Sequence, residues 1–199
     1  MSNIGIYGGT FDPPHRGHTS IIKFLLEKNI IDFALIIPCN QNPLKERKAS
    51  PFNIRMEMTK KAFEEFYPKL TVLDIEENNF PSYTIDTLNN LFERKFIIKE
   101  DNIFLIIGED EYASFTKWKE WERILTLVTL IVIERESSQV VKEIHDFSFI
   151  KITNMPSISS STIRNSISND QLPLCVRQEV LDIILKNKLY EKKDYYEYP

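Results

Sequence analysis

Glycine is scarce in this chain, with only five among 199 residues. Gly5, Gly8, Gly9 and Gly17 all lie near the N-terminus, and Gly108 lies alone in the middle. Glycine gives the backbone freedom that other residues lack and allows neighbouring groups to approach closely. This distribution therefore marks residues 8–18 as the stretch where the backbone has special requirements.

Cysteine is scarcer still, since Cys39 and Cys175 are the only two. Two isolated thiols cannot build a disulfide framework or a zinc site, and they suit a reducing cytoplasm. No basic segment follows Met1 and no apolar run is long enough to span a bilayer, so secretion and membrane insertion are disfavoured and we expect a cytoplasmic protein.

Positive charge is not in excess either, because the formal net charge is −4. This balance argues against general attraction to a nucleic-acid backbone. We therefore expect small-molecule ligands, with no nucleic acid and no membrane as partners. A homo-oligomer is compatible with the sequence.

Strand-like apolar runs alternate with helical patterns along the chain. The runs are residues 4–7, 33–38, 70–74, 103–107, 127–133 and 149–152, and several are continuously hydrophobic. Such runs are typical of strands covered by helices on both faces, so we predict a doubly wound, mainly parallel α/β sheet. The length fits one domain, which we place at residues 1–190, followed by a charged, tyrosine-rich tail at 191–199.

Two helices can be placed from their ends and their periodicity. An amphipathic pattern predicts a helix over residues 18–28. A second helix is expected over about 51–67, with Ser50 as its N-cap and Pro51 as its first helical residue.

Residues 8–18 join the first strand to the first helix. Free backbone N–H groups and the positive end of the helix dipole favour an anion at such a junction, so we predict a phosphate site. His15 and His18 are three residues apart and can both face the same anion. Two alternatives are a metal-binding pair, for which the sequence supplies no further ligands at suitable spacing, and histidines that only cap and pack the turn.

A second anion site is predicted near the end of the chain. Ser159, Ser160 and Ser161 precede a helical pattern that carries Arg164 in its first turns. A guanidinium beside free helix N–H groups suits a pyrophosphate. The alternative is that the serine run is a flexible linker.

Other candidates lie where strands end. Asp110 could accept hydrogen bonds from ribose hydroxyls or could simply be an acid favoured at a helix start. Trp118 could stack on a flat ring or pack in the core. Thr84 and Tyr83 lie at a strand-to-helix junction whose N–H groups could bind a carboxylate, and Lys45 could be a ligand or a solvated loop charge.

The string from Gly8 to His18 resembles the GxFxPxHxGH signature of the nucleotidyltransferase α/β-phosphodiesterase superfamily and, more narrowly, the bacterial nicotinate-nucleotide adenylyltransferases. Further segments resemble motifs of that family in the expected order: 42–45, 81–88, 108–110 with Phe115, Trp118 and Trp121, 158–164, and the Leu-Tyr ending within 185–190. Leu44 stands where the family has histidine, and Ser161 occupies a threonine position.

The resemblance implies a Rossmann-like fold and adenylyl transfer from ATP to nicotinate mononucleotide, with Mg²⁺ accompanying ATP and no protein metal site. It implies catalytic roles for His15, His18, Lys45 and Arg164. The residues implied for ATP binding are Gly8, Gly9, Thr10, Phe11, His15, His18, Gly108, Ser160, Ser161 and Arg164. Those implied for nicotinate mononucleotide are Thr10, Lys45, Tyr83, Thr84, Asp110 and Trp118.

Three rival functions are less well supported by the sequence. A phosphopantetheine adenylyltransferase would give no reason for Trp118 or for the segment 82–84. A regulatory nucleotide-binding module without catalysis is disfavoured because His15, His18 and Arg164 are all present. A nucleic-acid-binding protein is disfavoured by the acidic balance and the lack of a basic stripe.

Overall fold

The structure is a computed structural model, and it describes residues 1–40, 48–78, 81–135 and 149–191. Strands and helices alternate along these ranges. The strands are β1 (Asn3–Gly9), β2 (Phe33–Pro38), β3 (Leu70–Val72), β4 (Asn102–Gly108), β5 (Thr129–Arg135) and β6 (Phe149–Met155). The helices are α1 (Arg16–Glu27), α2 (Phe52–Phe63), α3 (Thr84–Glu93), α4 (Glu109–Ala113), α5 (Trp121–Leu127), α6 (Ser160–Ile167) and α7 (Gln178–Lys186). Short 3₁₀ turns at Glu64–Phe66 and Phe115–Lys117 follow α2 and α4.

The six described strands form one sheet in the order β3-β2-β1-β4-β5-β6, and every neighbouring pair is parallel. The predicted doubly wound, Rossmann-like sheet is confirmed. The chain moves outward in one direction from β1 to β3 and in the other from β4 to β6. The carboxyl ends of β1 and β4 therefore flank the point where the strand order reverses, which is where such sheets bind ligands.

Two apolar layers cover the sheet, one on each face. On the first face, Leu25 of α1, Phe63 of α2 and Val180 of α7 belong to one buried cluster. On the second, Leu88 of α3 and Ile124 of α5 belong to another. Because both faces are buried, strands such as β4 and β5 are continuously hydrophobic, as the sequence indicated.

Two helix starts differ from the sequence prediction by one or two residues. Helix α1 begins at Arg16 with His15 as its N-cap, so His18 is its third residue. Helix α2 begins at Phe52, and the prediction of Ser50 as its N-cap is wrong because Pro51 occupies that position with ψ at 138°. The backbone of Ser50 instead contacts other segments, donating from its N–H to Asp12 and accepting at its carbonyl from Arg55.

No helix in the described ranges is both long and apolar enough to cross a membrane. Helices α1 and α2 have 12 residues each, and the others described are shorter.

Candidate active site

A cavity of about 910 Å³ opens at the carboxyl edge of the sheet, where the strand order reverses. All the predicted site residues that the structure describes line it. They are Gly8, Gly9, Thr10, Phe11, His15, His18, Tyr83, Thr84, Gly108, Asp110, Trp118, Ser160, Ser161 and Arg164. Lys45 lies outside the described residues, as does the segment 42–44. The structure thus gathers into one cavity residues that are more than 150 positions apart in sequence.

The two histidines lie against each other at the start of α1. Their ring centroids are 3.7 Å apart, with the planes inclined by 29°. The backbone N–H of His15 donates to Nδ1 of His18 at 3.2 Å. Since Nδ1 accepts this bond, the ring proton of a neutral His18 is on Nε2, the nitrogen that can donate to a ligand oxygen.

Of the two properties of glycine that the sequence suggested for this loop, backbone freedom and close approach, the structure shows only the second. None of the glycines has a positive φ, so the expectation of special backbone freedom is wrong, and it is Phe11 that takes the left-handed conformation at φ 48°. Close approach is what Gly17 provides, because a Cβ there would lie 3.0 Å from the His15 ring and 3.3 Å from Cβ of Ile158. The buried His15 ring has no room to move away.

The first turns of α6 form hydrogen bonds with the loop after β1. Ser159 is its N-cap and accepts from the N–H of Thr162 at 3.1 Å. Ser160 Oγ donates to the carbonyl of Pro13 at 3.0 Å, and Arg164 donates to the carbonyl of Asp12 at 2.7 Å and to Ser161 Oγ at 2.9 Å. The serine run is therefore an ordered helix start, and the flexible-linker alternative is wrong.

Asp110 lies in the first turn of α4, directly after β4, and borders the cavity. A Cβ on Gly108 would lie 2.7 Å from Asp110 Oδ1, so glycine allows this carboxylate to fold back over the strand end. Glu111 accepts the Gly108 N–H at 3.1 Å. Asp110 is thus an acid at a helix start and also a carboxylate in the cavity wall, and its contact with ribose hydroxyls stays a prediction.

The opposite wall carries the aromatic candidates. Trp118 follows the 3₁₀ turn Phe115–Lys117, and its ring packs against Phe115 with a centroid separation of 5.1 Å. Its Nε1 is buried and has no hydrogen-bond partner among the described residues. Tyr83 is the N-cap of α3, and Lys119 lies 5.0 Å from its ring centroid while forming a 2.9 Å ion pair with Asp86. Lys119, which sequence reasoning missed, thereby joins the Trp118 segment to α3.

Arg55, a residue that sequence reasoning missed, is the most deeply buried charged residue in the described ranges, at 1% exposed. Its guanidinium donates to four carbonyls, those of Thr10, Cys39, Asn40 and Ser50, at 2.7 to 2.9 Å. Burial lowers the pKa of Arg55, while nearby acidic groups act in the opposite direction. A signal was available, because Arg55 lies on the face of α2 that also carries Thr59, Ala62 and other buried residues.

Glu76 is another buried ionisable residue, at 6% exposed, and unlike Arg55 it lines the cavity. Its Oε1 accepts from Thr87 Oγ1, whereas Oε2 has no hydrogen-bond partner among the described residues. Burial raises the pKa of Glu76, and hydrogen bonds from Thr87 and Ser82 and the charge of Arg55 partly oppose this. Within the described ranges, no cluster of three His, Cys, Asp or Glu side chains could hold a metal ion.

A parallel sheet with two helix N-termini facing its reversal point defines the class of nucleotide-binding α/β proteins. Comparison with known proteins narrows this class. The model of the cytidylyltransferase-like family matches residues 6–166. Relatives named "Probable nicotinate-nucleotide adenylyltransferase" include one from Leptospira interrogans, 42% identical over 94% of this chain and 96% of its own length, and one from Clostridium beijerinckii, 33% identical over 96% and 100%.

Solved structures agree in fold. The Plasmodium falciparum nicotinic acid mononucleotide adenylyltransferase complexed with NaAD has a TM-score of 0.79 at 21% identity, covering 96% of this chain and 98% of its own. The same protein complexed with APC has a TM-score of 0.76. The chain belongs to the cytidylyltransferase-like family and, within it, to the nicotinate-nucleotide adenylyltransferases. The family inferred from the sequence motifs is thus confirmed.

Proposed function

We propose that this chain transfers the adenylyl group of ATP to nicotinate mononucleotide, a step of NAD biosynthesis that yields nicotinate adenine dinucleotide and pyrophosphate. The observation that carries this proposal is the single cavity that holds both halves of such a site. His15, His18 and Arg164 line this cavity together with Tyr83 and Trp118, which pack against the apolar cluster on the second face of the sheet. The names of the relatives support the same reaction.

The reaction requires no nucleophile and no strong base from the protein. A phosphate oxygen of nicotinate mononucleotide attacks the α-phosphorus of ATP and forms a new P–O bond, while the bond from that phosphorus to the bridging oxygen breaks. Pyrophosphate leaves with the electron pair. The attacking phosphate is already ionised near neutral pH, so catalysis consists of alignment and of electrostatic stabilisation of the transition state.

On the ATP side, His18 is the residue we assign to the α-phosphate, because its Nε2 is the donor nitrogen of the neutral ring. His15 supports the adjoining phosphates. Arg164 and Lys45 neutralise the β- and γ-phosphates as pyrophosphate departs. Backbone groups of Gly8, Gly9, Thr10, Phe11, Gly108, Ser160 and Ser161 complete this side.

On the mononucleotide side, the N–H groups at Tyr83 and Thr84 are suited to the pyridine carboxylate because they begin α3, where the helix dipole favours negative charge. Trp118 stacks on the pyridine ring, and Asp110 accepts from ribose hydroxyls. Thr10 and Lys45 are also assigned to nicotinate mononucleotide.

Mg²⁺ is proposed to enter with ATP. The described residues offer no cage of carboxylates or imidazoles, a donor set that fits an ion held mainly by nucleotide phosphates and water. When bound, the ion neutralises charge on the phosphates. The cytoplasmic location, the lack of nucleic-acid and membrane partners, the homo-oligomer and the domain limits stay predictions from the sequence.

The test is pyrophosphate release from ATP with three acceptors in parallel: nicotinate mononucleotide, nicotinamide mononucleotide and phosphopantetheine. We expect release with the first, slower release with the second and none with the third. Equal rates with both mononucleotides would remove the Tyr83 and Thr84 junction from carboxylate recognition. Release with phosphopantetheine alone, or with no acceptor, would overturn the proposed function.

A further inference from the structure

Asp12 lies in the loop between β1 and α1 and is 3% exposed. Three of its oxygens accept hydrogen bonds from distant parts of the chain. Oδ1 accepts from the hydroxyl of Tyr190 at 2.6 Å, Oδ2 from the N–H of Ser50 at 3.2 Å, and the main-chain carbonyl from Arg164 at 2.7 Å. A buried carboxylate depends on such donors, because they replace part of the hydration that it loses on burial.

Tyr190 is held firmly enough to act as one of these donors. Its ring packs against the apolar cluster that includes helices α2 and α7. Burial, followed by the charge of Asp12, raises the pKa of the Tyr190 hydroxyl, so the hydroxyl keeps its proton and donates. The backbone provides independent evidence of constraint: Tyr190 has φ 66° and Lys188 has φ 49°, conformations that side chains rarely adopt unless surrounding contacts impose them.

The segment that Tyr190 contacts also carries the phosphate-binding candidates. Asp12 is three residues before His15, and its carbonyl receives the guanidinium of Arg164. Removing the Tyr190 hydroxyl would leave Oδ1 without this donor in a buried position, and the loop would shift to find another. Any such shift displaces His15 and redirects Arg164.

We propose that Tyr190 is a positioning residue of the nucleotide site, holding the loop 10–18 through Asp12 in the geometry that aligns the phosphates of ATP. This inference rests on the proposed function, since it assigns the phosphates to that loop. Tyr190 itself does not line the cavity, so it acts through Asp12 without touching substrate. It follows that the end of the described chain takes part in organising a site formed near its beginning.

The test is Tyr190→Phe, which keeps the ring and removes only the hydroxyl. We expect kcat for pyrophosphate release to fall about tenfold, since small misalignments of reacting groups are costly, while KM for nicotinate mononucleotide changes less than about twofold. ATP affinity, measured by calorimetry, should fall by a similar factor to kcat. Tyr67→Phe is the matched control, because Tyr67 is 45% exposed and does not line the cavity, and it should leave both values unchanged.

A double-mutant cycle with Asp12→Asn separates positioning from general destabilisation. If the hydroxyl acts through Asp12, the effects of Tyr190→Phe and Asp12→Asn on ATP affinity should be clearly less than additive in the double variant. Additive effects, or a loss of turnover that follows only the folded fraction measured by circular dichroism, would overturn the proposal.

The two proposals fail in distinguishable ways. If the wild-type protein releases pyrophosphate and Tyr190→Phe matches it in kcat and ATP affinity, the role of Tyr190 is refuted and the proposed function stands. If the wild-type protein releases none with any acceptor, the proposed function fails, and the ATP affinities alone decide whether Tyr190 positions the loop.

Discussion

His18 shows how much of this site is decided within a few residues. It is the third residue of α1, and its Nδ1 is occupied by the N–H of His15. Phe11 packs edge-on against its ring at a centroid distance of 5.1 Å. These local contacts therefore fix the plane of the His18 imidazole and leave Nε2 as the nitrogen that can donate a hydrogen bond to a ligand.

We expect His18→Ala to lower kcat for pyrophosphate release at least about a hundredfold. Loss of one donor that stabilises developing charge in a preorganised site costs about 2.7 to 4 kcal/mol of barrier. Steady-state kinetics measures this directly, and circular dichroism checks that the fold persists. Lys23→Ala, an exposed change on the same helix, is the control and should retain wild-type turnover. A His18→Ala enzyme within a few-fold of wild type would exclude His18 from the phosphate chemistry.

At the scale of secondary-structure elements, Arg55 determines how the edge of the sheet is assembled. It lies in the first turn of α2, yet its four carbonyl partners belong to the segments after β1 and β2 and before α2. These carbonyls lie outside the strands, in half-buried positions where water can solvate them only in part, so they depend on a donor from the protein. One planar guanidinium satisfies all four, which a point charge cannot do.

Arg55→Lys should therefore lower the free energy of unfolding by about 3 kcal/mol, because the ammonium cannot reach all four carbonyls and at least one half-buried carbonyl loses its charged donor. Urea unfolding followed by circular dichroism measures the change. Arg123→Lys on α5 is the matched control, since that guanidinium is exposed and pairs with Glu120 at the surface. The control should lie within about 0.5 kcal/mol of wild type. Similar values for both variants would show that Arg55 does not anchor the loops.

At the scale of the whole molecule, the buried Glu76 in the cavity wall interacts with helices on both faces of the sheet. Glu76 is bonded to Thr87 of α3 on one face, and the charge of Arg55 in α2 on the other face acts on it. Its pKa is raised mainly by burial. A carboxyl that binds its proton more tightly when folded contributes stability below its unfolded pKa and loses that contribution as the pH rises through the folded pKa.

We therefore expect the stability of the wild-type protein, relative to Glu76→Gln, to fall as the pH rises from about 4 towards 8. Glutamine keeps the shape and the acceptor for Thr87 but does not ionise. Urea unfolding of both proteins across this range gives the difference, in which the titration of all other groups cancels. A difference that is constant with pH, or that grows in favour of wild type, would contradict the direction of the pKa shift.

The sequence was most informative where local pattern and chemistry coincide. Apolar runs predicted strands within a few residues of β1 to β6, and burial on both faces explains why β4 and β5 are continuously hydrophobic. The predicted residues that are described all line one cavity, because their motifs lie at strand ends and helix starts. Helix starts were less accurate, as at Ser50, whose backbone is engaged by Asp12 and Arg55 from outside the local sequence.

Sequence alone determined the family, the parallel α/β sheet and the types of group that line the cavity, since these follow from periodicity and from short motifs. The tertiary structure decided which residues hold those groups in place. Arg55, Glu76 and Tyr190 act through contacts with segments far away in the chain, and no local pattern encodes such contacts. The glycines show the same difference between sequence and structure. Their clustering in the sequence pointed to the loop after β1, but only the packed structure showed that Gly17 is needed there because it lies against the His15 ring.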